Sequence, residues 1–278
     1  MKVSKIDMKS ENFQKELYDS LANTGFAILT NHDINPELMP DTYKEWAEFF
    51  NSSNKFECMA KTGSSCGYFP MKSENAKGYS TKDLKEFYHI FSPYKELPQG
   101  FGYCTNELAK RLENLGLNVL SDLSEEYLIR EGQDLNFFGM ALGSPNTLLR
   151  VLHYPPLGLG FNGEEVRAAP HEDINLITIL PAATFPGLSV KDNEGNWHMV
   201  DSDPGSIVVN VGDMLQEATR GKLKSTTHKV LNPTGLGATV SRYSSPLFIH
   251  ARPEIRLSER YTAEQYLDER LKEIGLKK

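Results

Sequence analysis

Apolar residues recur at two different spacings along this chain, and the spacing changes near residue 147. Between residues 10 and 23, Phe13, Leu17 and Leu21 stand four apart, the step of an amphipathic helix. Ser10 can cap its start and Gly25 can close its end. Phe26 to Thr30 is short, apolar and β-prone, which predicts a strand. Asn35-Pro36 supplies a cap and a proline suited to a first helical position. The helix it opens carries Leu38, Met39, Trp46, Phe49 and Phe50. Residues 61 to 82 are rich in Gly, Ser, Lys and Asn and predict a long loop, a place where function often resides. Residues 105 to 131 predict a long helix through Leu108, Leu112, Leu115, Val119, Leu123 and Tyr127, weakly interrupted by Gly116.

Beyond residue 147 short β-prone runs alternate with turn residues. The runs are Leu148–His153, Ile174–Leu180, Leu188–Lys191, Trp197–Val200, Ser206–Val211, Thr227–Leu231 and Thr239–His250. Asp192-Asn-Glu-Gly195 and Asp201-Ser-Asp-Pro-Gly205 are turn sequences between them. So many closely spaced strands predict a sandwich, barrel or jelly roll. Thr262-Ala-Glu-Gln265 fits a capping box ahead of a polar C-terminal helix. The expected parts are a helical region over 1–135, a β core over 136–255 and a closing helix over 256–278, folded as one unit.

Composition narrows the function without naming it. A length of 278 residues allows one large domain with a sizeable core. A net charge of -7 lacks the basic surplus of a nucleic-acid binder. No run approaches the about 18 apolar residues of a membrane span, and the N-terminus has no apolar signal core, so a cytoplasmic protein is expected. Cys58, Cys66 and Cys104 are odd in number and lack metal-knuckle spacing, which predicts reduced thiols.

The chemistry concentrates in Arg167-Ala-Ala-Pro-His171-Glu-Asp173. On a strand, residues two apart share a face, so His171 and Asp173 would sit side by side. Glu172 between them would point away. His228 follows in Lys224-Ser-Thr-Thr-His228. Two histidines and one carboxylate, with other positions open, form the ligand set of non-haem Fe(II) oxygenases, although zinc also accepts such donors. Downstream, Arg242 and Ser244 are again two apart, and a guanidinium beside a hydroxyl suits a carboxylate. The remaining histidines, His32, His89, His153, His198 and His250, carry no comparable pattern, and Asp213 fits turn chemistry.

Taken in order, these pieces resemble the Fe(II)/2-oxoglutarate-dependent dioxygenases of the isopenicillin N synthase-like, plant-type family. Gly25-Phe-Ala-Ile-Leu-Thr-Asn31-His32 is similar to that family's opening segment. Arg150-Val-Leu-His-Tyr154-Pro-Pro matches its Arg-x-Asn-Tyr-Tyr-Pro pattern, with Leu152 in place of Asn. Asn210-Val-Gly212-Asp213 and Ser225-Thr-Thr-His228 match a further segment. The resemblance covers about residues 20 to 250. It implies a double-stranded β-helix, and Fe(II) held by His171, Asp173 and His228. It implies 2-oxoglutarate with its distal carboxylate on Arg242, Ser244 and Tyr154. O2 would then convert 2-oxoglutarate to succinate and CO2 while a small organic substrate is hydroxylated or desaturated. The retained Asp173 argues against a halogenase. Two alternatives stay open: a 2-oxo-acid-independent oxidase of the isopenicillin N synthase type, and a metal-containing binding or sensing module without turnover. Tyr68, Tyr79, Tyr88 and Arg167 are the candidate substrate contacts.

Overall fold

The computed structural model describes residues 2–74, 82–158, 166–201 and 203–273. In chain order the first elements are β1 (Lys5–Asp7), α1 (Phe13–Thr24), β2 (Phe26–Thr30), α2 (Leu38–Asn51), β3 (Gly67–Phe69), β4 (Glu86–Phe91), α3 (Tyr103–Glu131) and α4 (Phe137–Ala141). The strand-rich part follows as β5 (Leu148–Tyr154), β6 (Ala168–His171), β7 (Ile177–Pro181), β8 (Leu188–Lys191), β9 (Trp197–Met199) and β10 (Ile207–Val211). It ends with α5 (Asp213–Ala218), β11 (His228–Val230), β12 (Arg242–Ser244), β13 (Leu247–Ile249) and α6 (Ala263–Glu273).

Among the described residues the strands form two sheets. The larger runs β1-β2-β10-β7-β13-β5-β4-β3, with β12 also paired to β5, and the smaller runs β6-β11-β8-β9. This is the jelly-roll core with a helical N-terminal region that the resemblance implies. The N-terminal region also lends the large sheet two strands at each edge.

Strand alternation decides what faces what. Leu149 and Val151 of β5, Ile177 and Ile179 of β7, Val209 of β10 and Leu247 and Ile249 of β13 join the helices in the main core. The intervening residues, Arg150, Leu152, Tyr154, Thr178, Leu180, Asn210 and Phe248, line a cavity toward the smaller sheet. Arg242 and Ser244 of β12 line it too, while Tyr243 turns to the main core. One pleat therefore makes a packed face and a chemical face.

The helix boundaries follow local chemistry. Gly25 ends α1 at φ 73°, its amide donating to the Leu21 carbonyl, and a Cβ there would stand 2.3 Å from Thr226 Oγ1. Glycine satisfies both demands. The α2 helix begins at Leu38 rather than at Pro36, because Asn35 makes a turn first, accepting from Glu37 N on its side chain and from Leu38 N on its carbonyl. The capping box forms as expected: Gln265 N donates to Thr262 Oγ1 at 3.3 Å and Thr262 N to Gln265 Oε1 at 2.9 Å.

Three strand expectations change, and a helix joins the β region. The 61–82 loop contains β3, which pairs with β4. β4 itself escapes notice because Glu86 breaks its apolar pattern; that carboxylate is met by Lys55 at 2.9 Å and by His153 at 2.7 Å. The Thr239–His250 run is two strands parted at Ser245-Pro246, since proline brings no N–H to a ladder. A short helix, α5, interrupts the β region.

Gly116 explains how α3 approaches the large sheet. A Cβ at that position would lie 2.2 Å from Ile249 Cδ1 and 2.9 Å from Ile179 Cγ1. Gly116→Val is therefore expected to destabilise the fold by about 1–3 kcal/mol through overpacking. A lowered urea midpoint with an unchanged slope checks it.

Candidate metal and co-substrate site

His171 ends β6 and His228 opens β11, and the two are directly paired in the smaller sheet. Their ring centroids are 4.4 Å apart. Asp173 does not lie on the strand; β6 stops at His171, and the chain turns just beyond it. The shared-face argument thus holds in outcome but not in form. Asp173 Oδ1 stands 3.9 Å from His171 Nε2 and 3.7 Å from His228 Nε2. One ligand atom from each of the three residues falls within 4.8 Å of the others.

The unused atoms of these side chains are tied back. His171 Nδ1 bonds the Ala169 carbonyl at 2.8 Å and His228 Nδ1 the Thr226 carbonyl at 3.1 Å. A carbonyl only accepts, so each Nδ1 carries the proton and each Nε2 lone pair is free. Asp173 Oδ2 accepts from Thr178 Oγ1 at 2.6 Å and from Asn210 Nδ2 at 2.9 Å, leaving Oδ1 toward the histidines. Burial, with His228 beside it, pushes the His171 imidazole down to about 4, so it is neutral near pH 7. Burial alone would raise the Asp173 carboxyl; the two histidines and the bonds from Thr178 and Asn210 hold it below the usual range. Two imidazoles and a carboxylate whose free ligand atoms converge fit a divalent metal such as Fe(II).

The turn holding Asp173 is fastened by the segment after β10. Asp213 N donates to the Asp173 carbonyl at 2.7 Å, Gly212 N to Leu176 O at 2.8 Å and Met214 N to Asn175 O at 3.0 Å. A Cβ on Gly212 would come within 2.2 Å of Asn175 O, so that approach requires glycine. Asp213 is the first residue of a helix rather than a turn residue. Asn210 and Thr178, which bond the Asp173 carboxylate, were not among the candidate residues. Asn210 was visible as the first residue of its motif; Thr178 had only its place on a strand.

Arg242 and Ser244 share the cavity wall with the three metal-site residues. Arg242 pairs across the ladder with Tyr154, and its Cζ lies 5.2 Å from that ring centroid. Its Nε donates to the Phe185 carbonyl at 2.8 Å, while Nη1 is buried with no hydrogen-bond partner. A buried guanidinium atom left open in this way fits an incoming carboxylate. Leu152 faces the cavity and packs with Phe87, Tyr154, Ala168 and Val230. Apolar contact thus replaces the expected Asn.

Of the other candidates, Tyr68 is buried and donates to Glu86, and Tyr88 packs against Trp46 and Phe49. Both serve the core rather than the cavity. Tyr79 lies outside the described residues. Arg167 is buried rather than a solvated charge. Glu172 is exposed, as expected. Of the remaining histidines, His153 bonds Glu86 and Ser241, His89 bonds Ser65 and Arg150, and His198 bonds Asp192. Lys85 and Arg150 also reach the cavity, and both are paired with Glu74, Lys85 at 3.0 Å and Arg150 at 3.1 Å. The three cysteines are free thiols. No helix among the described residues is long and apolar enough to cross a membrane.

A jelly roll with two histidines and an aspartate converging beside an open arginine defines a non-haem metal oxygenase architecture. Comparison with known proteins gives the particular family. Residues 145–251 match the 2OG-Fe(II) oxygenase superfamily, and residues 3–108 match the N-terminal region of the non-haem dioxygenases of morphine synthesis. A Shewanella oneidensis protein assigned to the oxygenases is 42% identical, with a TM-score of 0.88, over 99% of this chain and 100% of that one. A 2OG-Fe(II) oxygenase family protein of Caulobacter crescentus is 29% identical, with a TM-score of 0.82, over 98% and 99% of the two chains. The proline hydroxylase buaE of Petromyces alliaceus is 27% identical over 95% of this chain and 93% of its own. The chain belongs to the 2OG-Fe(II) oxygenase superfamily. It is an oxidoreductase that uses Fe(II) and 2-oxoglutarate.

Proposed function

We propose that His171, Asp173 and His228 hold the Fe(II), that Arg242, Ser244 and Tyr154 take the distal carboxylate of 2-oxoglutarate, and that a small metabolite is oxidised between them. The carrying observation is the arrangement of free atoms: two Nε2 lone pairs and Asp173 Oδ1 converge, and the open Nη1 of Arg242 lines the same cavity. When bound, Fe(II), 2-oxoglutarate and O2 supply oxidative decarboxylation to succinate and CO2 coupled to hydroxylation or desaturation at a C–H bond. The residues orient and shield that chemistry. Backbone carbonyls fix both imidazoles in one tautomer, and Thr178 with Asn210 fixes the rotation of the carboxylate. Phe248, Leu180, Leu188 and Val230 give the cavity apolar walls that limit water.

The cavity has about 580 Å³ of empty space, counting its open mouth. The proline hydroxylase among the relatives supports an amino acid or similar metabolite as the substrate. Residues 1–135, 136–255 and 256–278 act in this reading as parts of one folded unit. The test is succinate release from 2-oxoglutarate with Fe(II) and O2 across a panel of amino acids and other small metabolites. Stimulation by one class supports the reading. Oxidation of a metabolite with no 2-oxo acid present would replace it with the oxidase reading.

Thr178 offers a finer check. Thr178→Val removes the 2.6 Å bond to Asp173 Oδ2 while keeping the shape of the side chain. Loss of such an outer partner is expected to weaken metal affinity by about 10–100-fold. Titration with Fe(II) under anaerobic conditions measures it.

A further inference from the structure

Arg167 is a second unpaired guanidinium beside Arg242, and none of its nitrogens has a hydrogen-bond partner. It is 1% exposed, and its Nε, Nη1 and Nη2 are all buried without a hydrogen-bond partner. Its Cζ lies 5.8 Å from the Tyr154 ring centroid, the same ring that Arg242 approaches to 5.2 Å. Two guanidiniums thus share one aromatic ring. Among the described residues the Arg167 nitrogens and Arg242 Nη1 have no partner. Lys85 and Arg150 nearby are each matched by a carboxylate, so the contrast is local.

Burial, with Arg242 beside it, pushes the Arg167 guanidinium down to about 10. The group nevertheless stays charged near pH 7. Burying an unpaired charge beside a like charge is costly unless something anionic answers it. Arg167 stands just before β6 and is not itself in the cavity wall; it lies behind Tyr154, which lines the cavity together with Ala168 and Arg242.

We propose that Arg167 is a second cationic residue of the distal-carboxylate site, acting with Arg242 around Tyr154 to select a 2-oxo acid that carries a second carboxylate. This rests on the reading of Arg242 given above. Arg242 supplies the directed fork. Arg167 adds charge, and its presence against Tyr154 fixes the ring that borders the carboxylate. The pair makes the site doubly cationic before the co-substrate arrives.

The experiment is calorimetric titration of Mn(II)-loaded protein with 2-oxoglutarate and, separately, with pyruvate by displacement. Pyruvate has the metal-chelating head and lacks the distal carboxylate. Wild type, Arg167→Met, Arg167→Lys and Arg242→Ala are compared. Arg167→Met is expected to weaken 2-oxoglutarate by about tenfold or more, Arg167→Lys by less, and neither is expected to move pyruvate by more than about twofold. If Arg167→Met does not fold, Arg167→Gln and Arg167→Lys carry the same comparison. Normal 2-oxoglutarate binding in the Arg167 variants, with weakened binding in Arg242→Ala, overturns this inference and leaves the function standing. Normal binding in all variants overturns both. Parallel weakening of pyruvate and 2-oxoglutarate in Arg167→Met would make the residue a structural support and also overturn the inference.

Discussion

His228→Ala should lose Fe(II) and, with it, all succinate release. The variant leaves two ligand atoms, Asp173 Oδ1 and His171 Nε2, where three had converged. Removing a mere outer partner of a ligand costs about 10–100-fold in affinity, so removing a ligand is expected to cost more than about 100-fold. A fold effect accompanies it. His228 is buried, packs edge-on against Phe26 at 5.5 Å and bonds the Thr226 carbonyl. Stranding that carbonyl is expected to destabilise the protein by about 1–3 kcal/mol. The two effects separate experimentally. Fe(II) should raise the melting temperature of wild type by mass action and leave that of His228→Ala unmoved. His198→Ala is the control, because that part-buried ring is engaged with Asp192 at 2.6 Å. It should retain metal response and turnover. Unchanged iron affinity and activity in His228→Ala would remove the second histidine from the assignment.

The legibility of this site in the sequence follows from where its information is local. The strands that carry Arg150 to Tyr154 and Ile207 to Val211 were legible because each is a short β-prone run set between turn residues. The histidines and Asp173 were readable by spacing, although the reason they meet differs from the one the spacing gave. A strand pair brings His228 onto His171, and a turn after β6 delivers Asp173. That turn is held by Gly212 and Asp213, forty residues on, and no short-range pattern announces such a clasp. β4 was hidden by a buried Glu86 whose partners, Lys55, Tyr68 and His153, come from three distant elements. Tyr68 and Tyr88 looked like loop aromatics because β3 is three residues long and surrounded by Gly, Ser and Lys. Arg167 stood out only as a candidate substrate contact, because composition cannot reveal that it is buried. In each failure the deciding contact lies far off in the chain.

Arg242→Ala is expected to raise the apparent 2-oxoglutarate constant by roughly thirty-fold or more. The guanidinium is 3% exposed and is aimed before any ligand arrives, since Nε is fixed to the Phe185 carbonyl at 2.8 Å. Its buried Nη1 has no partner and can give a charge-assisted bond to a carboxylate oxygen, with Ser244 able to add another. Losing one partner of such a buried charge pair typically costs about 2–5 kcal/mol, much of it from the stranded opposite charge, and each 1.4 kcal/mol is about tenfold. Arg242→Lys should recover only part, because an ammonium cannot reproduce the planar fork and also loses the tether to Phe185. Pyruvate should serve wild type poorly, for want of a distal carboxylate. Iron affinity without co-substrate should change little, because Arg242 is not among the three converging ligands. The measurement is a 2-oxoglutarate titration of succinate release on wild type and both variants, beside a direct iron titration. An unchanged constant in Arg242→Ala would dismiss the carboxylate role of this arginine. A loss of iron affinity in the same variant would mean instead that β12 supports the metal site itself.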